Sequence, residues 1–82
     1  MYYVYLLRSR NDNGFYIGFS SDLQLRLLQH ANGEVQATKY RRPLDLVYYE
    51  SYGRKDLATA RESGLKKFGS AYAALMKRLG YK

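Results

Sequence analysis

At 82 residues the chain has room for one domain, because a second would need a core of its own. Lysine and arginine number 14 against 7 aspartate and glutamate, a formal net charge of +7 that favours a polyanionic partner, nucleic acid or an acidic membrane surface. The lack of cysteine excludes a disulfide framework, a thiolate zinc site and a thiol nucleophile and fits a reducing cytoplasm; no apolar run reaches the roughly 20 residues of a membrane span, and no basic leader stretch opens the chain.

Residues 2–7 are apolar at every position and rich in aromatic and β-branched types, which predicts a strand covered on both faces and therefore central. The stretch Asn11-Asp12-Asn13-Gly14 tolerates positive φ, and Phe15-Tyr16-Ile17-Gly18 resumes the strand pattern, so the two form a hairpin. Ser20 or Ser21 with Asp22 should cap a helix reaching Ala31, stopped by Asn32-Gly33. On its wheel Leu23, Leu27 and Ala31 make the apolar stripe, with Arg26 and His30 on the border nearest Leu23.

Residues 32–43 read as a polar loop ending at Arg41-Arg42-Pro43, and 44–52 as a third strand. A second helix is expected over 55–68, with Leu57, Ala58, Leu65 and Phe68 on one face and Glu62 at its edge. A third helix should run from Ser70, as cap, to Leu79, stopping at Gly80. The predicted fold is α+β, a small sandwich whose three-stranded antiparallel sheet has the first strand central, in β-β-α-β-α-α order.

Most catalytic patterns are missing. The chain has no Gly-rich phosphate loop, no Gly-x-Ser-x-Gly elbow, no His-Glu-x-x-His and one histidine in all, and none of its 7 acidic residues forms a close pair suited to a two-metal site. What remains is an excess of tyrosine (10 residues), arginine, His30 and Glu62 at a helix border.

These residues carry a resemblance. Tyr3-Val4-Tyr5, ten residues, then Tyr16-Ile17-Gly18 resembles the paired motif of the GIY-YIG nuclease superfamily, and Asp22-Leu23-x-x-Arg26-Leu27-x-x-His30 resembles its first helix. Arg42-Pro43-Leu44-x-Leu46-Val47-Tyr48-Tyr49-Glu50 and Ala60-Arg61-Glu62-x-x-Leu65-Lys66-Lys67-Phe68 are similar to the small stand-alone branch related to the N-terminal domain of the repair excinuclease. Two positions depart from the pattern: Tyr3 replaces the first glycine, and Phe19 stands where repair nucleases often have lysine.

The resemblance implies that Tyr5 and Tyr16 share one pocket with Arg26 and His30, and that Glu62 is the sole protein ligand of one divalent cation, Mg²⁺ or Mn²⁺. Phosphodiester hydrolysis needs an activated water, charge stabilisation at phosphorus and help for the leaving oxygen. Arg26 suits the scissile phosphate as a bidentate fork. Tyr16 is assigned as base on the family's pattern, although a phenol serves at neutral pH only when cations stabilise its phenolate. His30 is the rival base or a proton relay.

Lys39, Arg41, Arg42, Lys66 and Lys67 are the expected cationic contacts to a nucleic-acid backbone. The implied activity is a metal-dependent DNA endonuclease of repair or recombination with low sequence preference, because a chain this short leaves no separate recognition domain; a protein partner could supply specificity. The competing reading is an inactive nucleic-acid-binding module. Taken without the motif order, Arg26 and His30 would be a solvated helix edge, Glu62 a surface partner of Lys66, and Gly18 a strand end.

Overall fold

In the computed structural model, which describes residues 1–81, the first strand, β1 (Tyr2–Ser9), lies between β2 (Phe15–Ser20) and β3 (Leu44–Tyr52) in one antiparallel sheet of order β2-β1-β3. Its centrality follows from its composition. Val4, Tyr5, Leu6 and Leu7 are all buried, which only a strand paired on both edges and covered on both faces can achieve. The connecting loop turns through a left-handed Asn13. There the buried Ser9 hydroxyl accepts from the amides of Asn11 and Asp12 and donates to the Arg41 carbonyl at 2.6 Å.

The sheet's two faces have different coverings. On one, Val4, Leu6 and Ile17 pack with Ala58, Leu65, Leu75 and Met76 from helices α2 (Lys55–Lys66) and α3 (Ser70–Leu79) to form the apolar core. A leucine buried there contributes roughly 2 kcal/mol by removal from water. The opposite face carries Tyr5, which meets His30 of helix α1 (Leu23–Ala31). β3 keeps antiparallel register with β1 through a bulge between Leu6 and Leu7.

The fold class, strand order and element order agree with the sequence reading. Several local expectations do not. Helix α1 is rolled so that His30 is its buried residue, flanked by half-buried Leu23, Arg26 and Leu27, whereas Leu25, Leu28 and Ala31 are exposed. The physical reason is that His30 is tied into the interior through both ring nitrogens, so the helix presents that edge rather than the purely apolar stripe.

Helix α2 ends at Lys66 rather than Phe68. Phe68 has a positive φ of 55°, which swings its ring off the helix and edge-on to Tyr72, and Leu57 also faces solvent. The cap of α3 is Gly69, not Ser70, which is the helix's first residue. The polar loop after α1 contains a short 3₁₀ turn (Lys39–Arg41), and it buries Val35 and Thr38.

Candidate active site

The hairpin register sets the first half of the site. Tyr5 pairs with Gly18 and Leu7 with Tyr16, so Tyr5 and Tyr16 emerge on the same face with ring centroids 6.4 Å apart. Gly18 is required here, because a β-carbon on it would collide with Cζ and the hydroxyl of Tyr5, whose ring lies across the gap. Tyr3, in the position of the motif's first glycine, pairs with Ser20 and packs its ring 6.2 Å from that of Tyr49, where a side chain has room.

Helix α1 supplies the second half. Asp22 caps it by accepting from the Leu25 amide at 3.1 Å, which starts the helix in the phase that turns Arg26 and His30, one turn apart, toward the tyrosines. His30 Nε2 lies 2.8 Å from the Tyr5 hydroxyl, and its Nδ1 lies 2.7 Å from Oγ1 of Thr38. The imidazole also stands edge-on to Tyr16, centroids 5.3 Å apart. Arg26 donates to Gln29 Oε1 with one nitrogen at 3.1 Å, and its fork also reaches toward the Tyr5 hydroxyl.

Electrostatics distinguish these groups. Burial, reinforced by the positive charge of Arg26, pushes the His30 imidazole down to about 4, so at neutral pH the ring is uncharged. Burial pushes the Tyr5 phenol up to about 12, although Arg26 pulls the other way, while Tyr16 and the Glu62 carboxylate add to the rise. Tyr5 therefore stays protonated. Arg26, Tyr16 and Glu62 thus all lie within electrostatic reach of one hydroxyl.

Glu62 comes from α2, its side chain mostly covered, with Lys66 one helical turn on at 3.0 Å. Among the described residues no three His, Asp or Glu side chains gather in a closed cage. A single carboxylate does not suit zinc, but it fits a hard cation that keeps most of its water shell, as Mg²⁺ and Mn²⁺ do.

The expected backbone-contact cations fall into two groups. Arg41 is paired with Asp12 at 2.8 Å and fixes the loop to the hairpin, while Arg42 donates to the carbonyls of Lys39 and Ala31. Lys39 sits over the exposed ring of Tyr40. Lys66 is Glu62's partner, and Lys67 is exposed at the end of α2. Thr38 escaped the sequence reading, since one hydroxyl in a polar loop carries no periodic signal.

The sequence as a whole matches the model of the GIY-YIG catalytic domain over residues 1–75. The chain belongs to the GIY-YIG family. It is 38% identical over 68 residues to a UPF0213 protein of Staphylococcus epidermidis, a match covering 82% of each chain. With a UPF0213 protein of Streptococcus pyogenes it shares 38% identity over 66 residues, 79% of this chain and 71% of the relative. The solution structure of a UPF0213 protein from Bacillus halodurans superposes with a TM-score of 0.60 at 28% identity, covering 98% of this GIY-YIG chain and 86% of that one. Family membership thus rests on a match spanning most of the chain, and the GIY-YIG catalytic domain suggests a nuclease.

Proposed function

We propose that the protein is a DNA endonuclease that hydrolyses phosphodiester bonds with one divalent cation and little sequence preference, acting on damaged, branched or single-stranded DNA. The observation that carries this reading is the Tyr5 hydroxyl, bonded to His30, with the Tyr16 ring beside it and Arg26 and Glu62 within electrostatic reach, groups far apart in the chain. Arg26 binds the scissile phosphate through the part of its fork that Gln29 leaves open. Tyr16, as the phenolate left when its own proton has gone to solvent, takes the proton of the attacking water. Its half-buried ring is held against His30, and its hydroxyl makes no hydrogen bond among the described residues.

His30 is poorly suited to be the base, because both of its nitrogens are already engaged inside the fold. Its service is to hold Tyr5. Glu62 would carry Mg²⁺ or Mn²⁺, which would supply charge neutralisation at the leaving oxygen. Lys39, Arg42, Lys66 and Lys67 lie at or near the surface and contribute sequence-independent backbone contacts, with Arg41 more structural than the others.

Cleavage of nicked, branched and single-stranded DNA with added Mg²⁺ or Mn²⁺ tests the proposal against an Arg26→Ala/Glu62→Ala control. Metal-dependent products from the natural sequence and none from the control are expected. Salt-sensitive binding without cleavage would instead support the inactive nucleic-acid-binding module, and equal nicking by the control would defeat the enzyme assignment.

A further inference from the structure

Three hydrogens serve two hydrogen bonds in the buried chain Tyr5–His30–Thr38. The phenol, the neutral imidazole and the threonine hydroxyl each own one, so either end of the chain can be left with a hydrogen to place elsewhere. In one arrangement Tyr5 donates to Nε2 and Nδ1–H donates to Thr38, which leaves the Thr38 hydrogen unassigned. Thr38 is 0% exposed, and among the described residues its hydroxyl has no partner but His30. That arrangement strands a buried donor.

In the other arrangement Thr38 donates to Nδ1, Nε2–H donates to the Tyr5 oxygen, and the hydrogen left over belongs to Tyr5. Tyr5 is itself 1% exposed, but its hydroxyl lies within electrostatic reach of Tyr16, Arg26 and Glu62, a polar end at which its hydrogen can meet an acceptor, whereas Thr38 has no such neighbour among the described residues. We propose that Thr38 is a positioning residue: its hydroxyl fixes His30 as the Nε2–H tautomer and so turns the Tyr5 hydrogen toward the cleft, as a donor to a phosphate oxygen of the substrate. The last clause rests on the nuclease reading; the tautomer does not.

The single histidine makes the test direct, since a long-range ¹H–¹⁵N correlation spectrum of the labelled full chain contains one imidazole. At neutral pH the expected pattern is a protonated Nε2 and a pyridine-type Nδ1. The reverse pattern overturns the proposal. In Thr38→Val the hydroxyl is lost at nearly constant volume, and the two nitrogen shifts should move toward each other as the tautomers mix, while Thr38→Ser restores the natural pattern. An unchanged Nε2–H tautomer in a folded Thr38→Val would also overturn it.

Cleavage by the valine variant should fall about ten- to a hundredfold in kcat with KM little changed, as expected for a misdirected donor, and serine should recover it. A loss that serine does not rescue marks Thr38 as merely structural and defeats the positioning role. If the natural sequence cleaves no DNA at all, the nuclease reading fails while the spectrum still decides the tautomer.

Discussion

The molecule carries two clusters of tyrosines, an arginine and a carboxylate, one around Tyr5 and one around Glu50, and they differ in how far their charges are already matched. On the side of α2 and α3, Glu50 accepts from Tyr48 at 2.6 Å, from Tyr52 at 2.5 Å and from two nitrogens of Arg61, and Arg78 in turn donates to Tyr48. Burial alone would raise the Glu50 carboxyl, but Arg61, Tyr48 and Tyr52 together hold it below its usual value. Burial and the bond to Glu50 push the Tyr52 phenol up to about 12. The Glu50 carboxylate itself has no lone pair left over for a ligand. Around Tyr5, by contrast, Gln29 takes one nitrogen of the Arg26 fork, and among the described residues Tyr16 is unbonded and Glu62 is paired with Lys66 alone. Residue types alone therefore do not separate a site from a structural knot; unused valence does.

The largest expected break in that contrast is chemical. Glu62→Gln should lower metal-dependent cleavage about a hundredfold or more with unfolding unaltered, by analogy with removal of one transition-state charge partner. Glu50→Gln should leave cleavage per folded molecule intact. Equal losses of activity in both would erase the distinction between the two clusters.

Acid should separate the clusters next. The unfolded His30 imidazole binds its proton below about pH 6.5 and the folded one only below about 4, so stability is complete above 6.5 and is lost as pH falls through that window. The loss amounts to about 3 kcal/mol in urea titrations. Glu50 acts lower. Its depressed folded value keeps its contribution present above its ordinary value of 4.5 and removes it as pH falls further. His30→Gln should flatten the upper window alone.

Smaller effects follow. Glu50→Gln at neutral pH should cost about 2 kcal/mol in urea unfolding, because Arg61 and two phenols lose a charged acceptor. Asp22→Ala should cost about 1 kcal/mol through loss of the α1 cap. Since that helix carries Arg26 and His30, its cleavage should also weaken slightly, whereas a cap change on α3 should not touch activity.

These contrasts were unevenly legible in the sequence. The strands and the topology were readable, because an uninterrupted apolar β1 can only be central and because turn residues bracket each element. Arg26 and Glu62 were candidates from helical spacing and motif order. The depth of His30 was not, since a wheel ranks positions by apolarity and cannot register two hydrogen bonds that reward burying an imidazole. Thr38 depends on a contact across eight residues of irregular loop. The Glu50 knot did leave a trace: Tyr48, Glu50 and Tyr52 alternate along β3 and so share a face, with Arg61 on the helix above. Alternation of that kind in a strand next to a lone helical arginine is a signal for a closed polar cluster.

The glycine beneath the Tyr5 ring has a consequence for how the hairpin aligns. A shift of β2 by one residue would turn its side chains to the wrong face, and a shift by two would bring Tyr16 or Ser20 opposite Tyr5, where a β-carbon occupies the place of the phenol. Gly18 therefore acts as a gauge that accepts one register only, and the chain cannot close this hairpin without also setting its two motif tyrosines side by side.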